Sequence, residues 1–404
     1  MSDQAELRRY PIPFSKRRLD RRAVDIVCRL QDAGHETYMV GGCVRDLLLG
    51  KSPKDFDLAT AATPNQVKRL FRRSRLVGRR FRLVHVYVGR EVFEVATFRS
   101  APSAAKGDEA QVLKQDNEFG TPREDALRRD FTVNGMFLDP RSGEILDWAG
   151  GMEDLRNGML HSIGPADRRF KEDPVRILRL IKFMRRLGLK PGEAEITAAR
   201  EQAEHLAEAA PPRLVEEVFR LLLTVDSEGV FEDLNALGVL HLLMPDLSSW
   251  MQRDEGNFKR LCGRLRGLDR WVKEGGDPCY SLRLAVLYGP YVEDEIDPQT
   301  RTIDVREIPQ VPAYIFARMQ ERARLPRLAL SRASRILTAQ TRLDPPANTP
   351  GQRNRRFNAQ RLMEQDWFPD ALEYLRCRLE ADHREMTLYD EWHERSLPIL
   401  NRGR

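Results

Sequence analysis

The tightest constraint in this sequence is Lys54-Asp55-Phe56-Asp57-Leu58, two carboxylates separated by one aromatic residue and set shortly after the glycine pair Gly41-Gly42. In an extended segment side chains alternate, so Asp55 and Asp57 share a face while Phe56 turns to the core. Like charges held that close raise one another's pKa unless a cation neutralises them, and the spacing therefore asks for a divalent metal. Magnesium takes one or two carboxylates and completes its shell with substrate phosphates. An isolated D-x-D is more often a solvated turn. Its neighbours decide between the two.

Upstream, Asp20 is expected to cap a helix whose apolar positions Ala23, Val24, Val27 and Leu30 fall on one face and which ends at Gly34. Thr37 to Val40 reads as a short buried strand, Gly41-Gly42 breaks it, and Val44 to Leu49 resumes as a helix. A strand, a glycine turn and a helix start leave N–H groups at a positive dipole end, which suits a triphosphate; Arg45 can reach a phosphate while Asp46 fixes its fork. A strand is predicted over Asp55 to Ala59, then a capping box at Thr63-Pro64-Asn65-Gln66 opening a helix through Phe71. Leu83 to Val88 and Val92 to Phe98 are rich in β-branched residues and flank a two-residue hairpin turn, Gly89-Arg90. Glu94 is out of phase with Phe93 and Val95, so it sits on one face of its strand, where Asp55 and Asp57 of a neighbour can join it. Three carboxylates on one sheet can hold two metal ions that clamp the attacking and leaving oxygens of a displacement at phosphorus.

Arg99 to Gly120 is polar and reads as a surface loop. Thr121-Pro122-Arg123-Glu124 is a second capping box, and on the helix it starts Asp125, Arg128, Arg129 and Thr132 lie near one face. Arg128 and Arg129 beside Asp130 suit either a surface ion-pair lattice or contacts to ribose and phosphate; an acidic metal centre nearby favours the second. Asp173-Pro174 marks another helix start, with Arg176 and Arg179 left off its apolar side. Aspartate accepts hydrogen bonds and arginine only donates them, so Asp173 with Arg176 matches adenine or cytosine, whose pairing edges set an amino donor beside a ring-nitrogen acceptor. A capped helix with an exposed arginine is the plainer alternative. Beyond Pro211-Pro212 the chain reads as helices joined by short turns, with Arg213 and Glu217 as an i to i+4 brace. Tyr291 to Pro312 is acidic and proline-punctuated and reads as a loop, and Arg327, Arg332 and Arg335 begin an arginine-studded helical tail running through Arg353, Arg355 and Arg356.

The chain has 404 residues, more than one hydrophobic core usually supports, so two or more domains are expected. No apolar run approaches bilayer length and Met1 to Arg22 lacks a signal-peptide core, which predicts a cytoplasmic protein without membrane contact. Five scattered cysteines without C-x-x-C pairs or zinc spacing predict reduced, structural thiols. Net charge is only +6, but the cations are mostly arginine, and no lysine follows Lys273. Arginine's planar fork matches phosphate and stacks on bases, so nucleic acid is a plausible partner; arginine-preferring codon usage explains the composition as well.

Taken together, Gly41-Gly42-Cys43-Val44-Arg45-Asp46, Asp55-Phe56-Asp57, Arg128-Arg129-Asp130-Phe131-Thr132-Val133-Asn134 and Glu172-Asp173-Pro174-Val175-Arg176 resemble the class II nucleotidyltransferases, the family of bacterial poly(A) polymerases and CCA-adding tRNA nucleotidyltransferases. Leu76 to Val86, Glu94 to Arg99 and Phe119-Gly120 resemble the poly(A) polymerase branch. The resemblance implies an α+β fold, a palm-like nucleotidyltransferase head with a small mixed sheet followed by an all-α neck, body and tail. The expected division is a polar arm 1–19, head 20–164, neck 165–235 for base recognition, body 236–330 and Arg-rich tail 331–404. It implies Asp55 and Asp57 as metal ligands with Glu94 as third acid, two Mg2+ ions, and ATP as substrate. Gly41, Gly42 and Arg45 would hold the triphosphate, Arg129, Asp130 and Asn134 the sugar and phosphates, and Asp173 and Arg176 the base. RNA contacts are expected from Arg79, Arg80, Arg327, Arg332 and Arg335. The chain stops at Asn401-Arg402-Gly403-Arg404 without a long basic tail, so grip on RNA is expected either to be weaker or to come from the arginines of the helical tail. His85 is read as a packing or hydrogen-bonding residue. The implied reaction is template-independent addition of AMP to RNA 3′ ends (mRNA fragments, small RNAs or tRNA), with no role for DNA. Addition of CCA or a single A to tRNA is the alternative, and a catalytically silent RNA-binding module or a phosphoester hydrolase are those of another class.

Overall fold

The structure is a computed structural model that describes residues 6–78, 83–100, 119–295, 312, 326–345 and 358–400. Arg79, Arg80, Arg353, Arg355 and Arg356, and most of the 99–120 and 291–312 segments expected to be loops, lie outside these residues. The chain divides into two compact units, Met1–Glu172 with Gly188–Ala198, and Asp173–Leu187 with Ala199–Arg404.

The first unit is built on a sheet of eight described strands: β1 (Arg8–Pro11), β2 (Thr37–Val40), β3 (Leu58–Thr60), β4 (Ser74–Val77), β5 (Leu83–Val88), β6 (Glu91–Thr97), β7 (Phe137–Asp139) and β8 (Glu144–Asp147). Their order is β1-β8-β7-β2-β3-β6-β5-β4, and only the β3–β6 pair is parallel. The mixed α+β class inferred from sequence holds. The polar arm, however, contributes β1, which pairs antiparallel with β8 from Arg8 opposite Asp147 to Pro11 opposite Glu144.

Three helices cover one face. In α1 (Arg21–Asp32) the Asp20 carboxylate caps Arg22 N at 2.8 Å, and Ala23, Ile26, Val27 and Leu30 are buried. Helix α2 (Gly42–Leu48) begins two residues earlier than its apolar pattern suggests, because Gly41, at φ +73°, turns the chain directly out of β2. Helix α3 (Pro64–Leu70) starts with the expected capping box. Against these helices pack Met39, Leu58, Val84, Val86, Phe93, Val95 and Leu138, with Phe56 partly buried beside them as anticipated. The opposite face carries an aromatic group, Tyr38, Phe98, Phe137 and Trp148, in which Phe98 stacks on Phe137 at 6.1 Å and Trp148 meets Phe137 edge-on at 5.5 Å.

A second capping box opens α4 (Pro122–Leu127), which ends before Arg128; Thr132–Asn134 forms a separate 3-10 turn, so the long helix expected to reach Thr132 is broken. After β8, fully buried Asp147 accepts the backbone N–H groups of Ala149, Gly150, Gly151 and Met152 at 2.9 to 3.1 Å, which fixes the start of α5 (Gly151–Asn157). Short strands Met159–Leu160 and Lys190–Pro191 pair in parallel, and α6 (Ala166–Glu172) completes the unit.

The second unit is helical among the described residues. Its first helix, α7 (Val175–Leu187), buries Ile177, Leu178, Leu180 and Ile181. Glu193–Glu201, which begins in the first unit, is helical too, and α8 (Pro211–Leu221) lies against α7. Between them Lys182 Nζ donates to Glu217 Oε2 at 2.7 Å, both side chains being nearly buried. Glu217 therefore does not brace Arg213. That arginine reaches Asp173 Oδ2 instead, at 2.8 Å. Further along, Ser227–Ala236, Pro245–Arg253, Glu255–Lys273 and Tyr280–Glu295 are helices. The last contains Tyr291–Glu295, the beginning of the stretch expected to be a loop. Arg327–Leu343, Phe368–Ala381 and Thr387–Leu400 follow. A buried arginine, Arg264, ties this set together through Asp382 at 2.9 Å and Glu293 at 3.1 Å, while Tyr374 Oη donates to Glu293 at 2.8 Å.

Candidate active site

Asp55 and Asp57 lie just before β3 rather than within it. The strand begins at Leu58, yet Asp57 is already anchored, since Val40 N donates to its carbonyl at 2.9 Å. In the parallel ladder Leu58 faces Val95, so one residue earlier Asp57 comes alongside Glu94, and the two side chains leave the sheet on the face away from the three helices. Asp57 is exposed by surface area, yet protein crowds its carboxyl enough for loss of water to be the first cause pushing its pKa up to about 6. The charge of Glu94 comes next; Arg129 opposes the shift and Asp55 adds to it. The structure thus brings Asp55, Asp57 and Glu94 within electrostatic reach.

It does not assemble them into a three-acid cage: among the described residues no group of three or more His, Cys, Asp or Glu forms a set that could hold a metal ion. Glu94 turns toward β5, where His85 Nε2 stands 3.4 Å from its Oε1. A two-carboxylate set fits Mg2+ better than a closed cage, because that ion keeps positions for water and phosphate oxygens.

Each bare glycine of the Gly41-Gly42 turn faces a guanidinium. A Cβ on Gly41 would lie 2.8 Å from Arg129 Nη1, and one on Gly42 would lie 3.6 Å from Arg45 Nη2. Arg45 is buried; its Nε and Nη2 bond Asp46 Oδ1 at 2.9 and 2.6 Å, as the sequence suggested, and its Nη1 bonds Asn134 Oδ1 at 2.6 Å. It is a bracket beneath the turn more than an arm extended above it. Asn134 in turn donates to Asp130 Oδ1 at 3.1 Å, and the same oxygen accepts Phe131 N at 2.8 Å. Arg129 donates to Asp125 Oδ2 at 3.1 Å and lies over the Phe137 ring at 5.1 Å. Arg45 thus ties the 128–134 segment to the helix after the glycine turn, and Arg129 of that segment stands against Gly41.

Several supporting residues escaped the sequence reading. Arg169 donates to the carbonyls of Arg128 and Arg129 at 2.8 and 2.6 Å. Thr132 Oγ1 donates to Asp154 Oδ2 at 2.5 Å, and His161 Nδ1 is 2.8 Å from Asp154 Oδ1. Gly151 is required here, because a Cβ would strike the Thr132 carbonyl. None of these partners stands at a helical or strand spacing from the residue it holds, so no local signal marks them.

In the second unit, Asp173 is half-buried and bonded to Arg213, with Arg176 three residues on; Arg176 N donates to the Asp173 carbonyl at 3.0 Å. Of the arginines expected to meet RNA, Arg327 and Arg335 are exposed, whereas Arg332 is drawn onto Asp366 and Asp370 at 3.4 Å each. No described helix is long and apolar enough to cross a membrane.

Residues 37–161 match the family model of the poly A polymerase head domain, and residues 193–251 match that of a probable RNA- and SrmB-binding site of polymerase A. Poly(A) polymerase I of Haemophilus influenzae is 42% identical over 266 residues, 63% of this chain and 58% of that protein. The CCA-adding enzyme of Lactobacillus delbrueckii subsp. bulgaricus is 35% identical over 220 residues, 54% of each. Among solved structures, the Bacillus stearothermophilus CCA-adding enzyme in complex with CTP superposes with a TM-score of 0.65 at 26% identity, covering 93% of this chain and 80% of that one. The chain thus spans less than two thirds of the curated relatives it matches. The head-domain match covers the sheet that carries Gly41, Asp57, Glu94 and Arg129, and over that stretch the chain is similar to bacterial poly(A) polymerases and CCA-adding enzymes.

Proposed function

We propose that the protein is a polynucleotide adenylyltransferase that extends RNA 3′ ends with AMP from ATP without a template. The observation that carries the reading is the juxtaposition, on one sheet face, of the crowded acids Asp55, Asp57 and Glu94 with a glycine turn flanked by Arg129 and Arg45. Greater identity to poly(A) polymerase I than to the CCA-adding enzyme supports AMP as the unit added.

In this reading the bare backbone of Gly41-Gly42 admits the triphosphate, and Arg129, with Arg45 beneath, offsets its negative charge. Asp130 and Asn134, fixed by the bonds described, meet the ribose. Asp173 and Arg176 read the base, with Arg213 as the partner that holds the aspartate in place. The RNA 3′ oxygen forms a bond to the α-phosphorus, its proton passes to solvent, and the α–β bridging oxygen leaves with pyrophosphate. Asp55 and Asp57 would hold Mg2+, which when bound supplies charge neutralisation for the attacking and departing oxygens. His85 contributes no proton transfer, being turned to Glu94.

Incubation with each labelled nucleoside triphosphate, Mg2+, and either tRNA lacking its 3′ end or generic RNA tests the proposal. Long A tracts on generic RNA are expected. A single A or CCA on tRNA alone would replace the reading with tRNA end repair, binding without incorporation would point to a silent module, and shortened RNA to hydrolysis.

A further inference from the structure

The Leu76–Val86 stretch, which resembles the poly(A) polymerase branch in sequence, enters the site as described only through His85, which faces Glu94. Its strands form the open end of the sheet. The register Arg75–His85–Glu94 across β4, β5 and β6 lays these three side chains in one row, and the parallel step to β3 brings that row to Asp57. A second row runs beside it: Tyr87 N donates to the Arg73 carbonyl at 2.9 Å, and Tyr87 faces Val92 across the hairpin. Alternation sends Val84, Val86, Phe93 and Val95 into the core, so both rows emerge on the face that carries the acids.

This face is open among the described residues. Tyr87 is 38% and Val92 46% exposed, Arg73 and Arg75 are exposed, and His85 is partly so. Neither arginine has an ion-pair partner among the described residues, whereas Arg45, Arg129, Arg185 and Arg264 are each paired with a carboxylate. Two unpaired cations, Arg75 on the edge strand and Arg73 just before it, two aromatic rings on the middle strand and carboxylates beyond them make a graded surface. Single-stranded nucleic acid is met by such surfaces: rings stack on bases and arginines take the phosphates. The acids repel phosphate and so mark the end where the strand must stop, at its 3′ hydroxyl.

We propose that the exposed face of β4–β5–β6 is the platform for the last two or three nucleotides of the RNA acceptor strand, Tyr87 and His85 stacking on bases and Arg73 and Arg75 holding phosphates. The span agrees. Arg75 stands two strands from Glu94, about 10 Å at ordinary strand spacing, and stacked nucleotides advance roughly 3.4 Å each. The inference rests on the reading of Asp55, Asp57 and Glu94 as the reacting centre, and it adds the direction from which RNA approaches.

The test uses the full chain with a 5′-labelled oligoadenylate, first by anisotropy without ATP or metal, then in extension assays. Tyr87→Ala should raise Kd and KM for RNA by roughly 5- to 100-fold, as expected for loss of one stacked base, with KM for ATP unchanged; Tyr87→Phe should restore binding. Arg73→Ser with Arg75→Ser should lower the slope of log affinity against log salt by about 1.4, the value for two phosphates of a single strand. RNA carrying 4-thiouridine next to its 3′ end should crosslink between Ser74 and Glu94. Thermal unfolding of each variant separates surface effects from loss of fold. Unchanged RNA affinity and salt slope in folded variants, or crosslinks mapping only elsewhere, would overturn the platform, as would loss of a co-purifying protein with RNA binding intact. If the wild type binds and crosslinks here but transfers no nucleotide to any acceptor, the platform stands and the adenylyltransferase reading falls.

Discussion

Gly41→Ala isolates what the glycine turn does. Gly41 sits at φ +73°, ψ −127°, a conformation that side-chain-bearing residues rarely adopt, and an added Cβ would come within 2.8 Å of Arg129 Nη1. The backbone strain alone is about 1–3 kcal/mol. Relief requires Arg129 to move, which breaks its bond to Asp125 and takes a charged donor off the triphosphate. A charged hydrogen bond is worth about 1.5–3 kcal/mol, so KM for ATP should rise roughly 10- to 100-fold. Gly34→Ala is the matched control: its φ is +83°, but no atom lies within 4 Å of the new Cβ. Both variants should lose stability in thermal melts, Gly41→Ala the more, and only Gly41→Ala should lose ATP in steady-state kinetics. Equal ATP kinetics for the two would mean that Arg129 does not serve the nucleotide, and the reasoning about the turn would fail.

Other outcomes follow from the same geometry. In metal-free protein, carbon-detected NMR should find the Asp57 carboxyl titrating near 6, and Glu94→Gln should lower that value; because the folded pKa is raised, Asp57 favours the folded state at low pH, and that contribution fades as pH rises from its ordinary value near 3.8 through 6. Added Mg2+ should suppress the slope, as should Asp57→Asn. Asp55→Ala is expected to abolish incorporation with RNA affinity retained, and lost affinity with normal turnover would contradict its role. Arg176→Ala should reduce preference for ATP over the other triphosphates by about tenfold or more, measured by competition. Lys182→Met leaves the buried Glu217 carboxylate with Arg220 alone, 3.2 Å from its Oε1, and should cost less in urea unfolding than the about 3–5 kcal/mol of a fully unpaired buried charge, whereas Lys182→Met with Arg220→Ala should approach that figure.

Local signals carried much of the fold. Strand Thr37–Val40, the capping boxes at Thr63 and Thr121, the cap at Asp20 and the Gly89-Arg90 turn are all set by residues within a few positions of one another, and each appears as read. Where partners are distant the sequence was silent or misleading. Arg213 chose Asp173, 40 residues away, over Glu217 on its own helix, because Glu217 faces the buried Lys182. Arg45 found Asn134 at a separation of 89 residues. Strand β1 exists only because β8 offers an edge to the segment Arg8–Pro11, whose composition carries no alternation. Strand β3 is shorter than the alternating pattern allows, since regular pairing on both sides begins only at Leu58.

The single parallel contact in the sheet has a consequence for how the acidic centre comes into being. Because β3 and β6 run the same way, the chain leaves β3, makes α3, β4 and β5, and only then returns to lay Glu94 beside Asp57. A ribosome that has delivered Asp55 and Asp57 has therefore not yet delivered Glu94, whose charge adds to the effect of burial on Asp57. Ends that distant meet late, after loop closure has been overcome. Asp57 therefore gains its acidic neighbour when β6 docks beside β3, before β7 and β8 have been added to the other side of the sheet.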